Sequence, residues 1–89
     1  MMLSELNLNL LRSFYTIAEE RSLTRAAARL NMTQPSVSQA LQRLEEHLGC
    51  QLVFRDSRRF ALTAPGQKIY EECAEIFQSV GRIALLTKD

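Results

Sequence analysis

The sequence predicts a mainly α-helical chain with a small β-hairpin: a winged helix-turn-helix followed by one long helix. Three observations lead there. Apolar residues recur at steps of three and four in four separate stretches, the pattern of amphipathic helices. The second and third stretches are separated by little more than "NM", which leaves room only for a tight turn. Between the third and fourth lie two short apolar runs, "QLVF" and "FALT", joined by the polar "RDSRR", which reads as a hairpin.

The first helix is expected over residues 8 to 20, with Leu8, Leu11, Phe14, Ile17 and Ala18 on one face and Asn7 as its cap. The second, residues 23 to 30, turns Leu23, Ala26, Ala27 and Leu30 inward behind Ser22 as N-cap. Asn31 ends it, because Asn accepts the left-handed conformation more readily than other non-glycine residues. Thr33 or Gln34 opens the third helix, with Pro35 in the first turn, where no amide hydrogen is needed. That helix, residues 34 to 48, points Val37, Leu41, Leu44 and Leu48 at the core. At about 100° per residue, Gln39, Gln42 and Glu46 fall opposite, with Ser36, Ser38 and Arg43 on the flanks. Gly49 stops it.

Strands as short as those of the hairpin are marginal alone and must lean on the helices. Thr63 caps the fourth helix, which has Pro65 in its first turn and runs towards Leu86. Its Ile69, Cys73, Ile76, Val80 and Ile83 recur at alternating steps of four and three, a coiled-coil seam, with Tyr70, Phe77 and Ala84 beside it. About 23 residues make roughly 35 Å of helix, more than so small a body needs. A homodimer interface of Ile69, Cys73, Ile76, Phe77, Val80 and Ile83 is therefore expected. The chain divides accordingly into residues 1–63, the winged helix-turn-helix, and 64–89, a linker and dimerisation helix.

Eighty-nine residues, 46% of them hydrophobic, suit one small packed domain. The net charge of +1 hides an uneven distribution. Residues 1 to 20 carry Arg12 against Glu5, Glu19 and Glu20; residues 64 to 89 carry three bases against four acids. The middle segment, 21 to 63, carries seven arginines against Glu45, Glu46 and Asp56. Every base there is Arg, the side chain better matched to phosphate and base edges. Cys50 and Cys73 stand apart from the single His47 in no metal-binding pattern, and neither a cofactor nor a metal is expected. Two isolated cysteines and no export signal fit a reducing cytoplasm. No window approaches 18 apolar residues, so no membrane span is expected.

The start of the third helix carries the functional signal. Most surface helices open with acidic residues that answer the helix dipole; this one has none before Glu45. Thr33, Gln34, Pro35, Ser36, Ser38 and Gln39 instead offer hydroxyls, amides and small volume. A helix entering the DNA major groove by its N-terminal end meets base edges that present donors and acceptors rather than full charges. Gln can address adenine N6 and N7 together, and an acidic tip would repel phosphate. Arg58 and Arg59 in the hairpin loop, within a wing spanning 55–59, can reach the minor groove or backbone, while Arg55 pairs with Asp56 or lies nearer the body. Arg43 is a further backbone candidate, with a surface ion pair to Glu46 as its rival reading. Arg25 and Arg29 fit either phosphate contact or plain solvation, with Arg25 the better candidate.

The words "SLTRAAARLNMTQPSVSQALQRLEEHLG" and "LTAPG" resemble the N-terminal DNA-binding domain of the LysR-type transcriptional regulators, over roughly residues 6 to 87. The resemblance implies a winged helix-turn-helix and a linker helix that pairs two subunits. It also implies that Gln34, Pro35, Ser36, Ser38 and Gln39 face the groove and that Arg58 serves the wing. Gln39 departs from the arginine that many members carry, which points to an amide or phosphate contact instead of a guanine contact. "QLVFR" departs from the commoner "LFxR". Family members continue into an effector-binding domain resembling periplasmic binding proteins, so a small-molecule effector is expected only for that domain, absent from this chain.

The expected function is sequence-specific binding of double-stranded DNA at a roughly palindromic site, by a cytoplasmic bacterial regulator that is dimeric or of higher order. The competing reading, a winged-helix protein-interaction module, requires an apolar exposed patch on the third helix, and Gln39, Gln42 and Arg43 do not supply one. An enzyme is not expected: no carboxylate pair, nucleophile–base arrangement or Gly-rich phosphate loop is apparent.

Overall fold

The computed structural model describes residues 6–55 and 58–87. Four helices follow one another: α1 (Leu8–Glu20), α2 (Leu23–Leu30), α3 (Gln34–Leu48) and α4 (Ala64–Leu86). Each begins on a polar cap whose side-chain oxygen takes an amide hydrogen left unsatisfied by the first turn. Asn7 accepts from Asn9 at 2.8 Å, Ser22 from Arg25 at 3.1 Å, Thr33 from Ser36 at 3.2 Å and Thr63 from Gly66 at 3.0 Å. A cap of this kind contributes about 1 kcal/mol. The first three helices end on left-handed residues, Arg21 (φ 55°), Asn31 (φ 59°) and Gly49 (φ 73°). Asn31 and Gly49 are the expected stops. Arg21 is not; the strain of a left-handed arginine is offset by its guanidinium, which donates to the Phe60 carbonyl at 2.9 Å and lies over the Phe60 ring.

The core forms where α1, α2 and α3 cross, around the fully buried Phe14, Ile17, Val37, Leu41 and Leu44. The small Ala26 and Ala27 let α2 lie close against it. Burying each large apolar side chain there contributes about 1.5–3 kcal/mol. Leu8, assigned to the inner stripe of α1 by its spacing, is 59% exposed, and Leu10 occupies the core instead. Leu8 is the first helical residue, one turn short of the body that would cover it.

The expected β-hairpin reduces to one antiparallel bridge between Val53 and Leu62, and no strand forms among the described residues. Two backbone bonds flank the bridge: Phe54 N–H to the Ala61 carbonyl at 3.1 Å and Thr63 N–H to the Leu52 carbonyl at 3.0 Å. The amides of Leu52 and Val53 donate to a side chain, the carboxylate of Glu45, at 2.8 and 3.4 Å. At Gly66, in the first turn of α4, an added Cβ would stand 2.1 Å from the Leu52 carbonyl oxygen. Only glycine permits that approach.

α4 changes character along its length. Its first half packs on α1: Cys73 is 1% exposed, and Ile69, Tyr70 and Phe77 lean on the core. Tyr15 of α1 stacks on both Tyr70 and Phe77, with ring centroids 5.6 and 5.3 Å apart. Beyond Phe77 the helix leaves the body, and Val80 and Ile83 are 53% and 61% exposed. The expected dimer seam is corrected at Cys73: enclosed within its own chain, it offers no surface to a second one. That burial also pushes its thiol pKa up to about 11. No described helix is long and apolar enough to cross a membrane.

Candidate nucleic-acid interface

Residues 31 to 33 form the turn between α2 and α3. Left-handed Asn31 reverses the chain, its amide donating to the Ala28 carbonyl at 3.2 Å and the Met32 amide to the Ala27 carbonyl at 2.9 Å. The paired bonds satisfy the last carbonyls of α2 and set the angle at which α3 departs. Since Val37, Leu41 and Leu44 are drawn fully into the core, the opposite side of α3 has to face outward.

Thr33, Gln34, Pro35, Ser36, Gln39 and Arg43 are all exposed there, and Ser38 is half-buried on the flank. The Thr33 hydroxyl donates to the Ser36 hydroxyl at 2.8 Å, which keeps the Ser36 proton free to point outward. Pro35 adds rigidity without a donor. The tip is therefore a convex polar surface whose hydroxyls and amides can both donate and accept, with no carboxylate between residues 31 and 44.

On one flank, Ser36, Gln39 and Arg43 share a groove of about 400 Å³ with Asn9 and Arg12 of α1. On the other lies the segment around the 53–62 bridge. Glu45, buried on that flank, accepts the amides of Leu52 and Val53 and pairs with the Arg55 guanidinium. The carboxylate thus holds the segment from Leu52 to Arg55 against α3. This role was not drawn from the sequence, although position 45 lies one turn beyond Leu41 and next to Leu44, inside the core arc. Of the two placements expected for Arg55, the one against the body is present, through Glu45. Asp56 and Ser57, within the expected wing, fall outside the described residues. Arg58 and Arg59 are both exposed.

The remaining arginines divide sharply. Arg25 donates to the Glu20 carbonyl at 2.6 Å and lies 3.6 Å from its carboxylate. Arg29 pairs with Glu19 at 2.8 Å and Glu20 at 3.2 Å. Without DNA, the Arg25 guanidinium is directed at the end of α1. Arg43 makes no ion pair with Glu46. Among the described residues, Arg12, Arg43 and Arg58 are the arginines whose side chains make no hydrogen bond or ion pair.

Two helices joined by a short turn, with the polar tip of the second left open, define a helix-turn-helix protein. Residues 8–67 match the family described as bacterial regulatory helix-turn-helix protein, lysR family, and the chain belongs to that family. It is 43% identical to the HTH-type transcriptional regulator XapR of Escherichia coli over 77 residues, 86% of this chain and 26% of that protein. To BenM of Acinetobacter baylyi it is 38% identical over 78 residues, 88% of this chain and 26% of BenM. The chain thus spans about a quarter of the length of these relatives. Its fold superposes on the BenM DBD in a complex with catB site 1 DNA with a TM-score of 0.85, at 36% identity, covering 92% of this chain and 91% of that one. Against full-length BenM the TM-score is 0.83 at 37% identity, covering 94% of this chain and 28% of BenM.

Proposed function

We propose that this chain binds double-stranded DNA in a sequence-specific way, as the DNA-binding part of a LysR-type transcriptional regulator, with the N-terminal end of α3 in the major groove. The observation that carries the reading is the open, acid-free tip from Thr33 to Gln39, exposed because the opposite face of α3 is locked in the core. The likeness to the BenM DBD in its DNA complexes supports it. In this reading Gln34, Ser36, Ser38 and Gln39 address base edges and Pro35 permits close approach. Arg43, Arg58 and Arg59 contact the backbone or minor groove. Arg25 contributes at most after releasing an exposed ion pair, which is worth little.

Two copies pair through the open half of α4, where Ile76, Val80 and Ile83 present an apolar edge. The two-fold axis makes the preferred site roughly palindromic, with half-sites one or two helical turns apart. The proposed setting is the bacterial cytoplasm, with any effector bound by a domain beyond this chain.

Selection of bound duplexes from a random pool tests the reading and returns site and spacing together. Gln39→Ala should weaken binding to the selected site by about 1–3 kcal/mol while leaving affinity for unrelated duplex nearly unchanged. Equal loss on both would remove Gln39 from base readout.

A further inference from the structure

We propose that Arg12 of α1 joins Arg43 of α3 to grip two adjacent phosphates of the DNA backbone, one each, on the flank of α3 away from the wing. The inference rests on the DNA-binding reading and adds to it a contact from a helix outside the helix-turn-helix pair.

Two arginines with open guanidinium groups lie on the same groove, Arg12 and Arg43. Asn9, Ser36 and Gln39 add neutral donors to its walls, and Leu10 and Ala40 close its floor. Among the described residues, no carboxylate lines it. The contrast with the other arginines is chemical. Arg25, Arg29 and Arg55 are held by Glu20, Glu19 and Glu45, whereas Arg12 and Arg43 keep their full donor forks available.

The placement follows from helix geometry. Asn9 and Arg12, three residues apart, share a face of α1, as Ser36, Gln39 and Arg43 share one of α3. At about 100° per residue, Ser36 and Arg43 lie on the opposite flank of α3 from Ser38 and Glu45, which face the wing. Ser36 and Gln39 belong both to the tip and to the groove wall, so a duplex seated on the tip brings its backbone across the groove. Wing and groove then hold the duplex from both sides of α3. A phosphodiester accepts bidentate bonds from a guanidinium, so the two unpaired cations match the charge of two adjacent phosphates.

The test is the slope of log affinity against log salt, measured by fluorescence anisotropy with a labelled mixed-sequence duplex and this 89-residue chain. Each phosphate neutralised contributes about 0.9 to the slope. Arg12→Ala should flatten it by about 0.9, and Arg12→Lys should retain most of it. Arg82→Ala, which removes an equal charge from α4 away from the groove, should leave it unchanged. Arg12 is exposed, so circular dichroism should report a folded chain in every case. If Arg12→Ala and Arg82→Ala give one slope while the unsubstituted chain binds normally, the phosphate grip is overturned and the DNA reading stands. If the unsubstituted chain binds no duplex, both fall.

Discussion

Helices α3 and α4 carry nearly the same apolar pattern, yet the two stripes have different fates. In α3 the stripe is taken up by the chain's own core from Val37 to Leu44, and the face left over is the polar one that reads outward. In α4 the stripe divides. Ile69 and Cys73 turn inward against the body, while Val80 and Ile83 extend past it into solvent. The difference teaches that a heptad pattern states that a face seeks burial, not which chain provides it. The length of the body decides, and the body ends near Phe77, where Tyr15 makes its last stack with α4.

Substitutions can break this contrast at graded cost. The largest effect belongs to the absorbed stripe: Leu41→Ala should lower unfolding stability by about 2–5 kcal/mol, read from urea denaturation. Ile83→Ser on the open half should leave the intrinsic stability of one chain within about 0.5 kcal/mol and act on self-association, read by sedimentation. A large loss of single-chain stability from Ile83→Ser would show that the open half is packed internally after all. Next comes the junction between the two regimes. Gly66→Ala drives a methyl into the Leu52 carbonyl oxygen and should cost about 1–3 kcal/mol, with the Val53–Leu62 bridge loosened in hydrogen exchange. An effect of opposite sign is expected at Gly81, where an added Cβ meets nothing within 4 Å among the described residues. Gly81→Ala should stabilise α4 by about 1 kcal/mol through helix propensity. Weaker self-association from the same substitution would place a partner helix against Gly81.

The extents of all four helices were legible in the sequence because their signals are local. Asn7, Ser22, Thr33 and Thr63 cap through their own side chains, and Asn31 and Gly49 end helices through their own backbone preference. The polar tip of α3 was legible for the same reason: periodicity alone sets which face is outward. The hairpin was overcalled: only the Val53–Leu62 bridge forms among the described residues, beside amides held by Glu45, and no local pattern announces a buried carboxylate. The ion pair of Arg25 was not legible because its partner Glu20 ends the preceding helix, a proximity created by the turn at Arg21.

By itself, then, the sequence determined where helices start and stop and which side of each is apolar, since those depend on single residues and on a fixed angular step. Only the tertiary structure decided which arginines remain open, that Cys73 is enclosed while Ile83 is not, and that Arg12 and Arg43 border one groove. Those outcomes depend on distances between residues far apart in the chain, and such distances exist only once the helices have packed.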